Sequence, residues 1–364
     1  MTWHRPTLMG RALTAFALLG ACIAGGASSA QAGATVCPET EGDLAVTSLS
    51  TTLNVLSCDL VGRVVTYDGT GVAIPEAATA VSVDAVDASG ETHGFTVEVA
   101  TDGKLSYTLE GAAADASTAG ADRTDSLANP TVTAPDQSTE SNSTDADAPD
   151  ASGTEVADAD AATALGACSD GAYTTADRKE YGSYEWYVGD GGMPGALSQD
   201  NAKWAFWDAI DNITGSYNNC GYGDEVGAAH NYRGPTSYEA DINSSSQCTD
   251  RDGLSTWDAG NLAGNHVAVT CSWTWPMLGV KNDLREADVR YNTTDFDFTN
   301  SPTSSCYNKY DIRSVGTHEA GHVFGMGHVG SGHDNLTMYT NSFLCTTKAR
   351  TLGKGDVLGL RSIY

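Results

Sequence analysis

Apolar and polar positions divide the chain into segments of different character. Residues 13–24 form a short apolar run. Between about 34 and 110 the apolar positions alternate with polar ones: Val81, Val83 and Val86, then Phe95, Val97 and Val99. Alternation puts successive side chains on opposite faces of a strand, and the turn signals Ser89-Gly90 and Asp102-Gly103 separate the runs. Residues 104–109 add another strand, so 34–110 predicts a small β-sandwich-like domain, suited to a binding module, a propeptide or a spacer.

Residues 111–166 carry almost only Ala, Asp, Ser, Thr and Gly, with no aromatic residue and Arg123 as the sole base. Such a segment cannot bury enough apolar surface to offset chain entropy, and it predicts a disordered acidic linker. From 167 to 364 the pattern is globular. Ser198 can cap a helix in which Ala202, Ala205, Phe206, Ala209, Ile210 and Ile213 recur at helical spacing, and Thr214-Gly215-Ser216 ends it. Residues 266–275 read as the clearest strand and 287–291 as another, before helical signal returns at 315–324 and 356–363. The order helix, strands, helix, helix predicts an α+β domain.

Charge narrows the partners. The 364 residues carry a formal −28 with only 19 Lys and Arg, which argues against nucleic acid and anionic lipid. Arg5 and Arg11 precede the early apolar run and Ala30-Gln31-Ala32 follows it, so residues 1–32 predict a signal peptide and a secreted chain. The run is too short to span a bilayer. An alternative is lipid attachment at Cys22, after Leu19-Gly20-Ala21, with cell-surface association. Eight cysteines follow Cys22, an even number that predicts disulfides in an exported chain. Connectivity is not readable from sequence. Grouping by domain suggests Cys37–Cys58, and proximity suggests Cys248–Cys271 and Cys306–Cys345.

Chemistry concentrates in the stretch from His318 through Glu319 and His322 to Gly325 and His328. On a helix His318 and His322 project from one face, so both imidazoles reach one ion. Gly325 lets the chain leave the helix and return with His328 as third ligand. Three histidines leave a position for water, the open geometry of catalytic zinc. Glu319 is placed as the general base that takes the water's proton and passes it to the leaving amine. His333 is an alternative fourth ligand, although Ser331-Gly332 before it reads as loop.

These residues resemble the motif of the metzincin metallopeptidases, within them the matrixin-like group. Leu336-Thr337-Met338-Tyr339 is similar to that clan's Met-turn, and the resemblance implies a structural Met338 beneath the metal. It further implies a twisted mixed sheet with an active-site helix and a C-terminal helix. The strand from His266 would hold an extended peptide substrate, and the residues from Met338, notably Tyr339 and Thr340, would wall a substrate pocket. His266 itself reads as an exposed strand residue and His230 as a surface histidine. Thr340 stands where matrixins usually have Pro, and no cysteine-switch sequence is found. Calcium is a further expectation from the resemblance, with Asp250-Arg251-Asp252-Gly253 and Asp295-Phe296-Asp297 as candidate loops that also suit plain solvated turns.

The expected function is a secreted zinc endopeptidase acting on protein or peptide. Two alternatives differ in class: a zinc amide hydrolase acting on cell-wall material, and a non-catalytic extracellular binding protein acting through residues 34–110.

Overall fold

Runs of β-branched and aromatic residues build a sheet whose strands lie between Thr79 and Asn292. The computed structural model describes residues 37–38, 41–50, 52–110, 166–340 and 344–364. The expected leader, with Cys22, and all of the expected linker but Gly166 lie outside the described residues. The architecture is mixed α+β, mostly sheet with few helices.

Eight strands run in order along the main sheet: β1 (Thr79–Asp87), β2 (Thr92–Val99), β3 (Leu105–Leu109), β4 (Tyr184–Val188), β5 (His230–Pro235), β6 (Ser255–Gly260), β7 (His266–Trp275) and β8 (Asn282–Asn292). Their spatial order is β5-β4-β6-β8-β7-β1-β2-β3. β5, β4, β6 and β8 are parallel neighbours. From β8 onward every pair is antiparallel: β8 with β7, β7 with β1, β1 with β2 and β2 with β3. The short strand Arg178–Lys179 pairs with the start of β8. A second, four-stranded sheet joins Leu44–Ala45, Val64–Tyr67 and Thr70–Ala73 to Gln247–Cys248.

Two cores lie on opposite faces of this framework. Helix α1 (Gln199–Thr214) starts where the Ser198 hydroxyl accepts from the Asn201 amide, as the sequence predicts. It buries Phe206 against Trp257 and Tyr291, with the Phe206 and Tyr291 rings stacked at 5.4 Å. Helix α2 (Ile312–Val323), capped by Asp311, packs on the same side, and α3 (Lys354–Ile363) closes the chain. The other face holds Val81, Val83, Ala85, Phe95 and Val97 against Val269, Cys271 and Trp273. The alternation in β1 therefore does not separate core from water. Its polar side, with Ser82 and Asp84, is buried as well.

Four disulfides staple the fold: Cys37–Cys58, Cys168–Cys220, Cys248–Cys271 and Cys306–Cys345. Three of them match the pairs suggested by domain and proximity. By loop-closure entropy each contributes about 3–4 kcal/mol. Among the described residues no helix is long and apolar enough to cross a membrane.

Within the sheet, Arg290 is forked onto Asp258, with a 2.8 Å Nε–Oδ1 bond and a 2.5 Å Nη2–Oδ2 bond, and it also reaches Glu239 and the Ile242 carbonyl. Asp258 is fully buried. Asp258→Ala strands a buried guanidinium and should cost about 3–5 kcal/mol in urea unfolding. A loss below about 1 kcal/mol, the range of surface pairs, would show that the remaining partners suffice.

Candidate metal centre

Helix α2 carries His318 and His322 one turn apart, and the chain must bend back to bring a third ring. It does so at Gly325, whose φ of +92° is open to glycine and resisted by other residues. The short strand Met326–Gly327 then pairs with Thr174–Thr175, and His328 follows with its carbonyl held by the Thr174 hydroxyl at 2.7 Å.

The three rings converge. Nε2 of His318 lies 3.1 Å from that of His328, and Nε2 of His322 lies 3.1 and 3.0 Å from the other two. Every Nδ1 faces an oxygen: the Thr337 carbonyl at 2.8 Å for His318, the Met326 carbonyl at 3.1 Å for His322, and Glu110 Oε2 at 2.8 Å for His328. These oxygens only accept, so each Nδ1 carries the hydrogen and each neutral ring turns the Nε2 lone pair toward a common point. Three lone pairs meeting in a dry interior suit a cation. A tetrahedral zinc about 2.0–2.1 Å from each nitrogen sets them about 3.3 Å apart, close to what is seen. The triad can hold a metal ion.

Burial shapes the protonation of these groups. It lowers His318 to about 3 and drives His322 down as well, so both are neutral ligands at physiological pH. Burial also acts to lower His328, but the charge and hydrogen bonds of Glu110 outweigh it and raise that ring. Glu319 is fully buried. Burial lifts its carboxyl to about 8, against the opposing effects of the Thr270 hydrogen bond and His328. The Thr270 hydroxyl donates to Oε2 at 2.6 Å, and Oε1 is buried without a partner. Glu319 is not in the group of ligand atoms that cluster at the triad.

Met338 is buried with its sulfur against Gly321, where a Cβ would collide with it, so this turn requires glycine on the helix. The turn is clamped by Asp356, which accepts from the amides of Thr337 (2.9 Å), Met338 (3.2 Å) and Gly353 (2.8 Å). Tyr339 is half-buried against the first core and Thr340 is buried. Residues 341–343 lie outside the described residues.

Two histidines differ from expectation. His266, expected on the surface, is 3 % exposed: its Nδ1 meets the Ser246 hydroxyl at 2.9 Å and its ring lies against the turn at Gly69. His230 is likewise no surface residue: Trp186 Nε1 donates to its Nδ1 at 3.1 Å and Trp207 packs on its ring. His333 pairs with Asp170 at 2.9 Å and does not join the triad.

Neither acidic loop is itself one of the convergent ligand groups among the described residues. A second convergent group is Asp241, Glu286 and Asp288, with the Asp252 amide donating to Asp241 at 2.8 Å and to Glu286 at 3.3 Å. The 250–253 loop thus flanks a carboxylate cluster built largely from β8. Asp295 instead accepts from Asn292 at 3.0 Å.

Four site residues escape the sequence reading: Glu110, Asp84, Arg178 and Thr270. Arg178 donates from Nε to the His322 carbonyl and from Nη2 to Asp84 Oδ2, both at 2.7 Å. Only Asp311 and Asp356 had a readable signal, an acidic residue at the N-cap and in the first turn of a helix respectively. No family model matches the chain, and a search of curated proteins finds no match.

Two predictions follow from these carboxylates. Asp356→Ala leaves three buried amides without an acceptor and should destabilise the chain by about 3 kcal/mol or more in urea unfolding, with Asp356→Asn milder; equal, small losses would place the clamp elsewhere. Asp241 is lifted from 3.8 to about 8 by burial and by the neighbouring charges of Asp252 and Glu286. Its contribution to stability is therefore complete at low pH and lost as pH rises toward 8. In chelator, the thermal midpoint should fall between pH 5 and 8, and Asp241→Asn should shrink that fall; an unchanged profile would remove Asp241 as its source.

Proposed function

We propose that the chain is a secreted zinc endopeptidase resembling the matrixin-like metzincins. The observation that carries this reading is the convergence of the three Nε2 atoms beside Glu319 on one helix. The buried Met338 under that helix and the antiparallel β7 at its side support it. Four disulfides fit an oxidising, extracellular compartment.

His318, His322 and His328 would hold the zinc, with the Thr337 and Met326 carbonyls fixing the tautomers of His318 and His322. The chemistry a zinc held there would supply is a lowered pKa, toward about 7, for a bound water and polarisation of a substrate carbonyl. Glu319 then serves as proton shuttle. Thr270 fixes one carboxylate oxygen, and Oε1, which has no protein partner, takes the proton and returns it to the departing amine. The backbone edge of β7 is the natural seat for an extended peptide, whose main chain it would hold by strand pairing. Tyr339 and Thr340, following Met338, would face the side chain beyond the scissile bond.

The test is Glu319→Ala in zinc-supplied protein, assayed on a quenched peptide library with the chain intact and after a protease cut within residues 111–165 followed by further digestion of the N-terminal part. Peptide hydrolysis should drop by at least about a hundredfold while zinc stoichiometry holds at one, and a chelator should silence the wild type. Undiminished hydrolysis by the variant would overturn the assignment of the base.

A further inference from the structure

The metal centre is closed. Glu319, His318 and His322 have no exposed surface and His328 is 5 % exposed. Neither of the two described cavities, one beside Cys168 and Leu352 and the other beside Thr299 and Tyr307, is lined by a residue of the triad. A peptidase must admit a chain of peptide width to this point.

What covers it is the N-terminal part of the same chain. β7 has two edges. β8 takes one, and β1 takes the other along nearly its whole length, pairing Ala268 to Thr274 with Val86 to Ala80. That second edge is the row of amides and carbonyls an extended substrate would need. In this register Asp84 lies opposite Thr270, the residue whose hydroxyl holds Glu319. Asp84 reaches across to Arg178 at 2.7 Å, and its Oδ1 lies 3.9 Å from His322 Nδ1. Beyond β3, Glu110 places both oxygens on His328, accepting from the backbone amide and from Nδ1 at 2.8 Å each.

The disulfides complete the picture. Cys37–Cys58 lies within the N-terminal part, and the other three lie within 168–345. No disulfide ties residues 41–110 to residues 166–364, so the main chain through 111–165 is their covalent link.

Building on the peptidase reading, we infer that residues 41–110 are a built-in plug: β1 occupies the substrate edge of β7, and Glu110 latches the plug to the metal centre through His328. The chain is then made latent, without a cysteine thiol, by a strand and a carboxylate. The apolar side of β1 packs on Val269, Cys271 and Trp273, so one cut in the link leaves the plug seated, and opening requires its displacement or digestion.

The experiment uses full-length protein in three opened forms. Ser82→Pro removes a ladder amide in the middle of β1, and Glu110→Gln keeps the shape of the latch without its charge. The third form is wild type cut within 111–165 by a trypsin-like protease, where Arg123 is the only basic residue, and then exposed to further digestion. The first readout is hydrolysis of a quenched peptide library at saturating zinc. The second, independent of metal and turnover, is carbethoxylation of His318, His322 and His328 by diethylpyrocarbonate in metal-stripped protein, followed by mass spectrometry. At least one opened form should gain about tenfold or more in both over the intact chain. If the imidazoles become reactive only on opening but no form hydrolyses peptide, the plug stands and the peptidase reading falls. If the intact chain hydrolyses peptide as fast as the opened forms, or its imidazoles react as readily, the plug is overturned. Imidazoles equally protected in all three opened forms overturn it as well.

Discussion

The orientation of three imidazole rings governs the rest of the structure. A neutral ring offers one donor and one acceptor, and here each donor is pinned outward to an oxygen. The acceptors are left pointing at one another about 3 Å apart in the buried interior, which is unfavourable unless a cation sits among them. Much of the local sequence serves this one arrangement. Asp311 starts the helix, Gly325 turns the chain, Gly321 admits the Met338 sulfur, and Asp356 ties the Met338 turn to the last helix.

Charge explains why the surrounding groups can be buried at all. Glu319, Asp84 and Glu110 bring three carboxylates to the centre, and Arg178 brings one positive charge. A dication on neutral rings balances the set. For the metal-free chain the groups compensate in the direction expected: burial raises Glu319 and Asp84 toward their neutral acids, while Glu110 raises His328 toward its cation. The same carboxylates thus link the triad, its helix and the N-terminal strands, because removing any one strips a buried partner of a hydrogen bond.

This also sets what could be read in the sequence. The helix behind Ser198 and the strand 266–275 were legible because period and capping are local properties, and both appear with the expected bounds. The triad was legible because two ligands share a helix face. Glu110 was not: it is one acidic residue at the end of an alternating run, 218 positions from its partner. Alternation in β1 announced one apolar face but could not say that the polar face is covered by a helix bearing histidines. His230 and His266 were misjudged for a related reason, since nothing in a lone histidine reports the tryptophan or serine that will bury it.

A strand buried on both faces and paired on both edges cannot serve as a recognition surface while it stays there. β1 is in that position, between β7 and β2, with Asp84 turned to the metal centre and Val83 to the second core. A binding role for the N-terminal residues would have to use their outer parts, such as the outer side of β3, and would not explain why two carboxylates converge on His322 and His328. The grouping of the disulfides points the same way. A permanent substructure gains from a covalent staple across its largest internal seam, whereas here the staples stop on either side of it. The seam between β1 and β7 is held only by hydrogen bonds, apolar contact and buried ion pairs, the interactions that can be undone without breaking a bond.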